Sequence, residues 1–130
     1  MSRYDDLGGD AVLEPLLADF YGRIAGSAIA SLFPPTMDET RAKQAAFQSE
    51  FWGGPARYSP WRGHPRLRAR HLPFPIGPAE AREWLRCMRE AVAASAMPEQ
   101  QRPMFLMQME RTAAAMINRG EEGDTGELRL

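Results

Sequence analysis

Few residues in this chain could carry chemistry. Its 130 residues include two histidines, His64 and His71, and one cysteine, Cys87. Neither histidine belongs to a His-Glu-x-x-His helix, and there is no cysteine cluster and no glycine-rich phosphate loop. No nucleophile-elbow sequence points to a Ser-His-Asp triad. Cys87 cannot form a disulfide within the chain, and mid-helix beside Arg86 it reads as a small packed residue.

His71 has the more informative surroundings. It follows Leu67-Arg68-Ala69-Arg70 and precedes Leu72-Pro73-Phe74-Pro75-Ile76. Apolar groups on one side and cations on the other suit a ligand that is apolar in the middle and anionic at its edge. Spacing alone leaves two roles open, a hydrogen-bonded structural histidine or a metal ligand. His64, in Gly63-His64-Pro65, reads as structural, bracing its loop.

The elements that must position these residues are helical, because nothing alternates with period two long enough for a strand. Tyr4 and Leu7 mark a short turn of helix stopped by Gly8-Gly9. Asp10 is then expected to cap a second helix with Leu13, Leu16, Leu17, Phe20, Tyr21 and Ile24 on one face. Pro15 is expected near its first turn. Phe33-Pro34-Pro35 breaks the pattern, and Asp38 is expected to cap a third helix, Glu39 to Phe51, with Thr40, Gln44, Phe47 and Phe51 as its stripe. Trp52-Gly53-Gly54-Pro55 ends it. Residues 55–69 read as a long ordered loop, followed by a helical turn or two over 67–72.

Pro78-Ala79-Glu80 opens a strong helix to about Ala96, with Trp84, Leu85, Met88, Ala91, Val92 and Ser95 on one face. Pro98-Glu99 opens the last helix, buried through Phe105, Leu106, Met109, Ala113, Met116 and Ile117. One domain, 1–119, is expected, with 120–130 as a disordered, glycine-rich acidic tail.

Composition narrows the classes. With 25 % charged residues, 44 % hydrophobic ones and a formal net charge of −1, the chain is an ordinary globular one without a global pull towards anions. Arg62, Arg66, Arg68 and Arg70 lie near Tyr58 and Trp61, but the charge balance and the lack of a nucleic-acid motif argue against nucleic-acid binding. No apolar run reaches the ~20 residues of a membrane span, and the first residues lack the apolar core of a secretory signal. A cytoplasmic protein without a membrane partner is expected.

Three motifs taken together carry a resemblance. Phe51-Trp52-Gly53-Gly54-Pro55-Ala56-Arg57-Tyr58, then Gly63-His64-Pro65-Arg66-Leu67-Arg68-Ala69-Arg70-His71-Leu72-Pro73-Phe74, then Trp84-Leu85-Arg86-Cys87-Met88 resemble the truncated haemoglobins, specifically their second group. Gly8-Gly9 falls at that family's first glycine pair and Phe20-Tyr21 on its first long helix; the likeness spans roughly residues 4–118. It implies an all-α, globin-like fold, a truncated two-over-two helical sandwich around haem.

The same resemblance makes His71 the proximal ligand of the haem iron. Haem b would be held non-covalently, since no Cys-x-x-Cys-His is present. On the distal side it implies Tyr21, Thr40, Gln44 and Trp84 as ligand contacts, three of them offering O–H or N–H donors from long side chains. Phe33 and Phe47 would form apolar wall, Tyr58 and Arg70 would hold propionates, and Phe74 and Ile76 would contact the cofactor. Phe33 departs from the pattern, because many members carry tyrosine there. A donor is lost, which puts in doubt any ligand affinity copied from such relatives.

Three functions are compatible. The first is reversible binding of oxygen, with carbon monoxide and nitric oxide as further ligands, for oxygen transport, storage or sensing. The second is a haem redox enzyme, a nitric oxide dioxygenase or peroxidase-like protein. It would need a separate reductase, because the chain has neither a flavin domain nor a distal histidine. The third, a haem-free helical interaction module, leaves Trp52-Gly53-Gly54-Pro55 and Arg70-His71 as coincidence.

Overall fold

The computed structural model describes residues 2–62 and 76–117. His64, His71, Arg70 and Phe74, the helical turn expected over 67–72 and the tail expected at 120–130 lie outside the described residues.

Among the described residues every regular element is helical. Helix α1 (Arg3–Leu7) starts in a reciprocal capping box: the Asp5 N–H donates to the Ser2 hydroxyl and the Ser2 N–H to the Asp5 carboxylate. It stops at Gly8, whose φ of 115° would strain any side chain; a Cβ there would also fall 2.2 Å from a Val12 methyl. Helix α2 (Gly9–Ala25) follows at once and buries all six residues of the expected face. A one-turn 3₁₀ helix (Ala30–Leu32) leads to α3 (Asp38–Phe51), then to the short α4 (Ser59–Arg62). Helix α5 (Pro78–Ala94) and, after a second 3₁₀ turn (Glu99–Gln101), α6 (Arg102–Met116) complete the described chain.

Helix α2 packs on both α3 and α5, and α5 packs on α6. The core therefore runs from Leu13, Leu16 and Leu17 through Phe20 to Met88 and Val92, then to Phe105 and Met109. Cys87 is buried in it, and burial pushes its thiol pKa up, as a packed rather than reactive cysteine requires.

Helix ends depart from the sequence reading. Asp10 does not cap α2: that role falls to Gly8, and the Asp10 carboxylate instead accepts from the Tyr4 hydroxyl (2.6 Å) and from Arg57. Asp38 is the first residue of α3, not its cap. Pro15 lies inside α2 beyond the first turn, where Ala11, whose carbonyl loses its intrahelical partner, is exposed to water. Helix α5 ends at Ala94, and a 3₁₀ turn precedes the last helix. Arg102 turns back there to donate to the carbonyls of Ser95 and Met97.

The stripe of α3 needs the largest correction. Phe51 is 46 % exposed, while Ala46, Gln48 and Ser49 are the buried residues. The helix is two-faced, and apolarity alone had picked out only one side.

Trp52-Gly53-Gly54-Pro55 is a lock between α3 and α1. Trp52 is buried, stacked on Phe105 at 5.8 Å, and its carbonyl accepts the Tyr4 N–H (2.9 Å). Gly53 takes φ 85°, and a Cβ on Gly54 would sit 2.7 Å from the Tyr4 ring. The Ser49 hydroxyl donates to the Pro55 carbonyl (2.7 Å).

Candidate functional site

A cavity of about 270 Å³ lies between α2, α3, α5 and α6. It has room for far more than a diatomic molecule. Its lining is mainly apolar.

Each wall follows from the helix that carries it. Helix α2 supplies Tyr21, one residue past the buried Phe20, and the segment after it supplies Ile29, Leu32 and Phe33. Helix α3 presents Thr40, Lys43, Gln44 and Phe47, spaced by three, one and three so that they share a face. Tyr58 closes one side. Ile76 enters from just before α5, Ala81 and Trp84 from its first half, and Ala113 and Met116 from α6.

Tyr21, Phe33, Thr40, Gln44, Phe47, Tyr58, Ile76 and Trp84 were all singled out in the sequence, and all eight border this cavity. Trp52, prominent in the motif, does not; its indole N–H donates to Gln48 (2.7 Å) in the core. Lys43 and Glu80 also border the cavity and were not singled out. The spacing held the signal for both: Lys43 falls four before Phe47, and Glu80 four before Trp84. One Glu80 oxygen accepts the Gly77 N–H (2.7 Å), which starts α5 and so fixes the rise to Trp84.

Aromatic edges hold Tyr21 and Trp84. Phe20, fully buried, meets Tyr21 at 4.8 Å and Trp84 at 5.3 Å between ring centroids, both edge-on. Phe33 meets Tyr21 from the other side at 6.1 Å. Phe20 thus orients both residues, a role its reading as plain core had hidden.

Tyr21 and Trp84 are each only 8 % exposed. Among the described residues neither the Tyr21 hydroxyl nor the Trp84 indole N–H has a hydrogen-bond partner. Burial alone pushes the Tyr21 phenol well above its usual pKa, so it stays protonated and able to donate. Two buried donors without partners beside an apolar cavity suit an occupant that accepts hydrogen bonds within an otherwise apolar site. No group of three or more His, Cys, Asp or Glu able to hold a bare metal ion occurs among the described residues.

The sequence matches the family described as bacterial-like globin over residues 2–118. It is 38 % identical over 117 residues to the group 2 truncated hemoglobin of Bacillus subtilis (strain 168), covering 89 % of each chain. The fold is similar to the group II truncated hemoglobin of Bacillus anthracis, with a TM-score of 0.89, 35 % identity and 98 % of each chain covered. It is also similar to a truncated oxygen-avid haemoglobin from Bacillus subtilis, with a TM-score of 0.86 and 37 % identity over 91 % of this chain and all (100 %) of that one.

The chain belongs to the group II truncated haemoglobins. The expected all-helical, globin-like sandwich is the one observed, and α2, α3, α5 and α6 are its principal layers. As a truncated haemoglobin the chain falls in a class built around haem and small gaseous ligands. The cavity fits that class, with a mainly apolar lining that includes two donors without partners among the described residues.

Proposed function

We propose that this truncated haemoglobin binds oxygen reversibly through haem b, which the cavity would hold non-covalently with His71 as iron ligand. The observation that carries the reading is the pair of buried donors on Tyr21 and Trp84, without partners among the described residues, beside a mainly apolar cavity. The Bacillus subtilis relative described as oxygen-avid supports the choice of oxygen. Haem supplies an iron that binds diatomic molecules reversibly.

The chain's own residues do the rest. His71 would offer a neutral imidazole nitrogen to the iron. Tyr21 and Trp84 would donate to a bound ligand that accepts hydrogen bonds, and Gln44 would add an amide donor from α3. Thr40 stands one turn before Gln44. Phe33, Phe47 and Ile76 exclude water, which strengthens each of these hydrogen bonds. Tyr58 and Arg70 would hold the propionates, and Phe74 would contact the cofactor, as the family pattern implies.

The test is an absorption spectrum of the purified chain as isolated, after dithionite, and after dithionite with carbon monoxide, for wild type and His71→Ala. The expected result is a Soret band that shifts on reduction and again with carbon monoxide, and that is lost or altered in His71→Ala. A chain that stays colourless after haem titration sinks the proposal.

A further inference from the structure

We infer that Glu50, a residue with no role in the reading above, is a positioning residue for the cofactor cavity: its carboxylate fixes the backbone at 58–59 and so sets where Tyr58 meets the cavity's occupant. The inference rests on the proposal that this occupant is haem.

Glu50 lies in the last turn of α3, where the partial negative charge of a helix C-terminus disfavours a carboxylate. Three donors from a different segment offset that. The N–H groups of Tyr58 (3.1 Å) and Ser59 (2.8 Å) both donate to its Oε1, and the Ser59 hydroxyl donates to its Oε2. These bonds, the Ser59 hydroxyl's above all, hold the Glu50 carboxyl below the usual carboxylate range. Amides at a helix start have no partner within the helix, so α3 reaches across to satisfy those that open α4.

Tyr58 is caught twice by one helix. Its backbone is tied to Glu50, and its buried ring meets Phe47 edge-on at 5.7 Å, Phe47 being one turn before Glu50 on α3. Both Phe47 and Tyr58 border the cavity. A second tether lies one residue upstream, where Arg57 pairs with both Asp10 oxygens at 2.9 and 3.1 Å. The 57–59 turn is therefore fixed to α2 through Arg57 and to α3 through Tyr58 and Ser59. Removing the Glu50 carboxylate releases the bonds that tie 58–59 to α3 and leaves the Arg57–Asp10 pair and the Phe47 ring contact in place.

Glutamine at position 50 is the conservative replacement. Its carbonyl oxygen can accept both amides, and its NH₂ can donate to the Ser59 hydroxyl. Alanine can do neither.

The experiment uses the full haem-loaded chain as wild type, Glu50→Ala, Glu50→Gln and Ser59→Ala. Haem loss to excess apomyoglobin and the Soret circular dichroism are read for each. Glu50→Ala is expected to lose haem about tenfold faster with altered Soret dichroism, as loss of bonds to a charged acceptor implies. Glu50→Gln should restore most of both readouts. Ser59→Ala, which deletes a single hydroxyl, should move them the same way by less, and it decides the matter if Glu50→Ala does not fold. Wild-type haem loss and wild-type dichroism in Glu50→Ala overturn the inference, as does a fall in thermal stability with neither readout changed. If wild type takes up no haem, the cavity reading fails by itself. The clamp is then judged on amide exchange in the haem-free chain. Faster exchange at Tyr58 and Ser59 in Glu50→Ala upholds it, and unchanged protection overturns it.

Discussion

Replacing Tyr21 by phenylalanine should move two measurements in opposite directions. The ring keeps its edge contacts with Phe20 and Phe33, so packing is nearly unchanged and only the hydroxyl is lost. In the haem-free chain that hydroxyl is buried with no partner among the described residues, a situation that costs about 1–3 kcal/mol for a buried polar group. The lower end applies, because it borders a cavity of about 270 Å³ that water can enter. Unfolding of the haem-free chain in urea should therefore show a gain on the order of 1 kcal/mol, with the slope against denaturant unchanged. In the haem-loaded chain the same change removes a donor to the bound ligand. A loss of about 1 kcal/mol speeds dissociation roughly fivefold, and a polarised ligand raises that towards tenfold or more. Stopped-flow displacement of oxygen by carbon monoxide reads the rate. A haem-free Tyr21→Phe chain less stable than wild type would mean the hydroxyl already has a protein partner. An unchanged dissociation rate would mean it does not face the ligand. Either result refutes the reasoning.

Trp84→Phe should speed oxygen dissociation by about tenfold or more in the same assay, since an indole N–H is lost while the edge contact with Phe20 is largely kept. Gly54→Ala should destabilise the chain by about 1–3 kcal/mol, because the new Cβ would meet Tyr4 ring atoms that the Tyr4–Asp10 hydrogen bond holds in place. A wild-type urea midpoint in Gly54→Ala would show that the ring yields freely. Asp10, paired with Arg57 and accepting from Tyr4, and Glu50, bonded to Ser59 and Tyr58, both have depressed carboxyl pKa values in the folded chain. Their contribution is thus fully present above the unfolded value of about 4 and is lost as pH falls through the lower folded values. Urea midpoints followed below pH 5 should fall less steeply in Asp10→Asn than in wild type.

Much of the fold was legible because helical periodicity and burial coincide along α2, α5 and α6. Leu13, Leu16, Leu17, Phe20, Tyr21 and Ile24 were readable as one face, and they are one buried face. Helix ends were less legible, because a capping side chain competes with tertiary partners. Asp10 has the composition of a cap, but Arg57, distant in sequence, gives its carboxylate a stronger use. Glu50 was silent for a related reason. Nothing in Ser49-Glu50-Phe51 tells that the chain returns eight residues later to place two amides against that carboxylate. The eight cavity residues were reached through a family pattern, which carries information on which helices face each other that periodicity lacks.

Helix α3 shows where pattern reading alone stops. Gln44 and Gln48 are the same residue type one turn apart, and a polar residue on a buried stripe suggests a ligand contact at either position. Gln48 is the more deeply buried of the two. Its carbonyl oxygen accepts the Trp52 indole N–H at 2.7 Å, and its amide lies 4.0 Å from the Met109 sulfur. Its polarity is satisfied within the core and needs no ligand. Gln44 borders the cavity, with no partner for its amide among the described residues. Gln44 and Gln48 lie on nearly the same face of α3, and the one-turn rise between them separates a donor that borders the cavity from one committed to the fold. Substituting each by leucine should separate them in the same way. Gln44→Leu should leave stability within about 0.5 kcal/mol and speed ligand loss, as expected for a site away from the core. Gln48→Leu should strand the Trp52 N–H and cost about 1–3 kcal/mol while leaving ligand loss unchanged. If the two variants behave alike in both assays, α3 does not pass from cavity to core within that one turn.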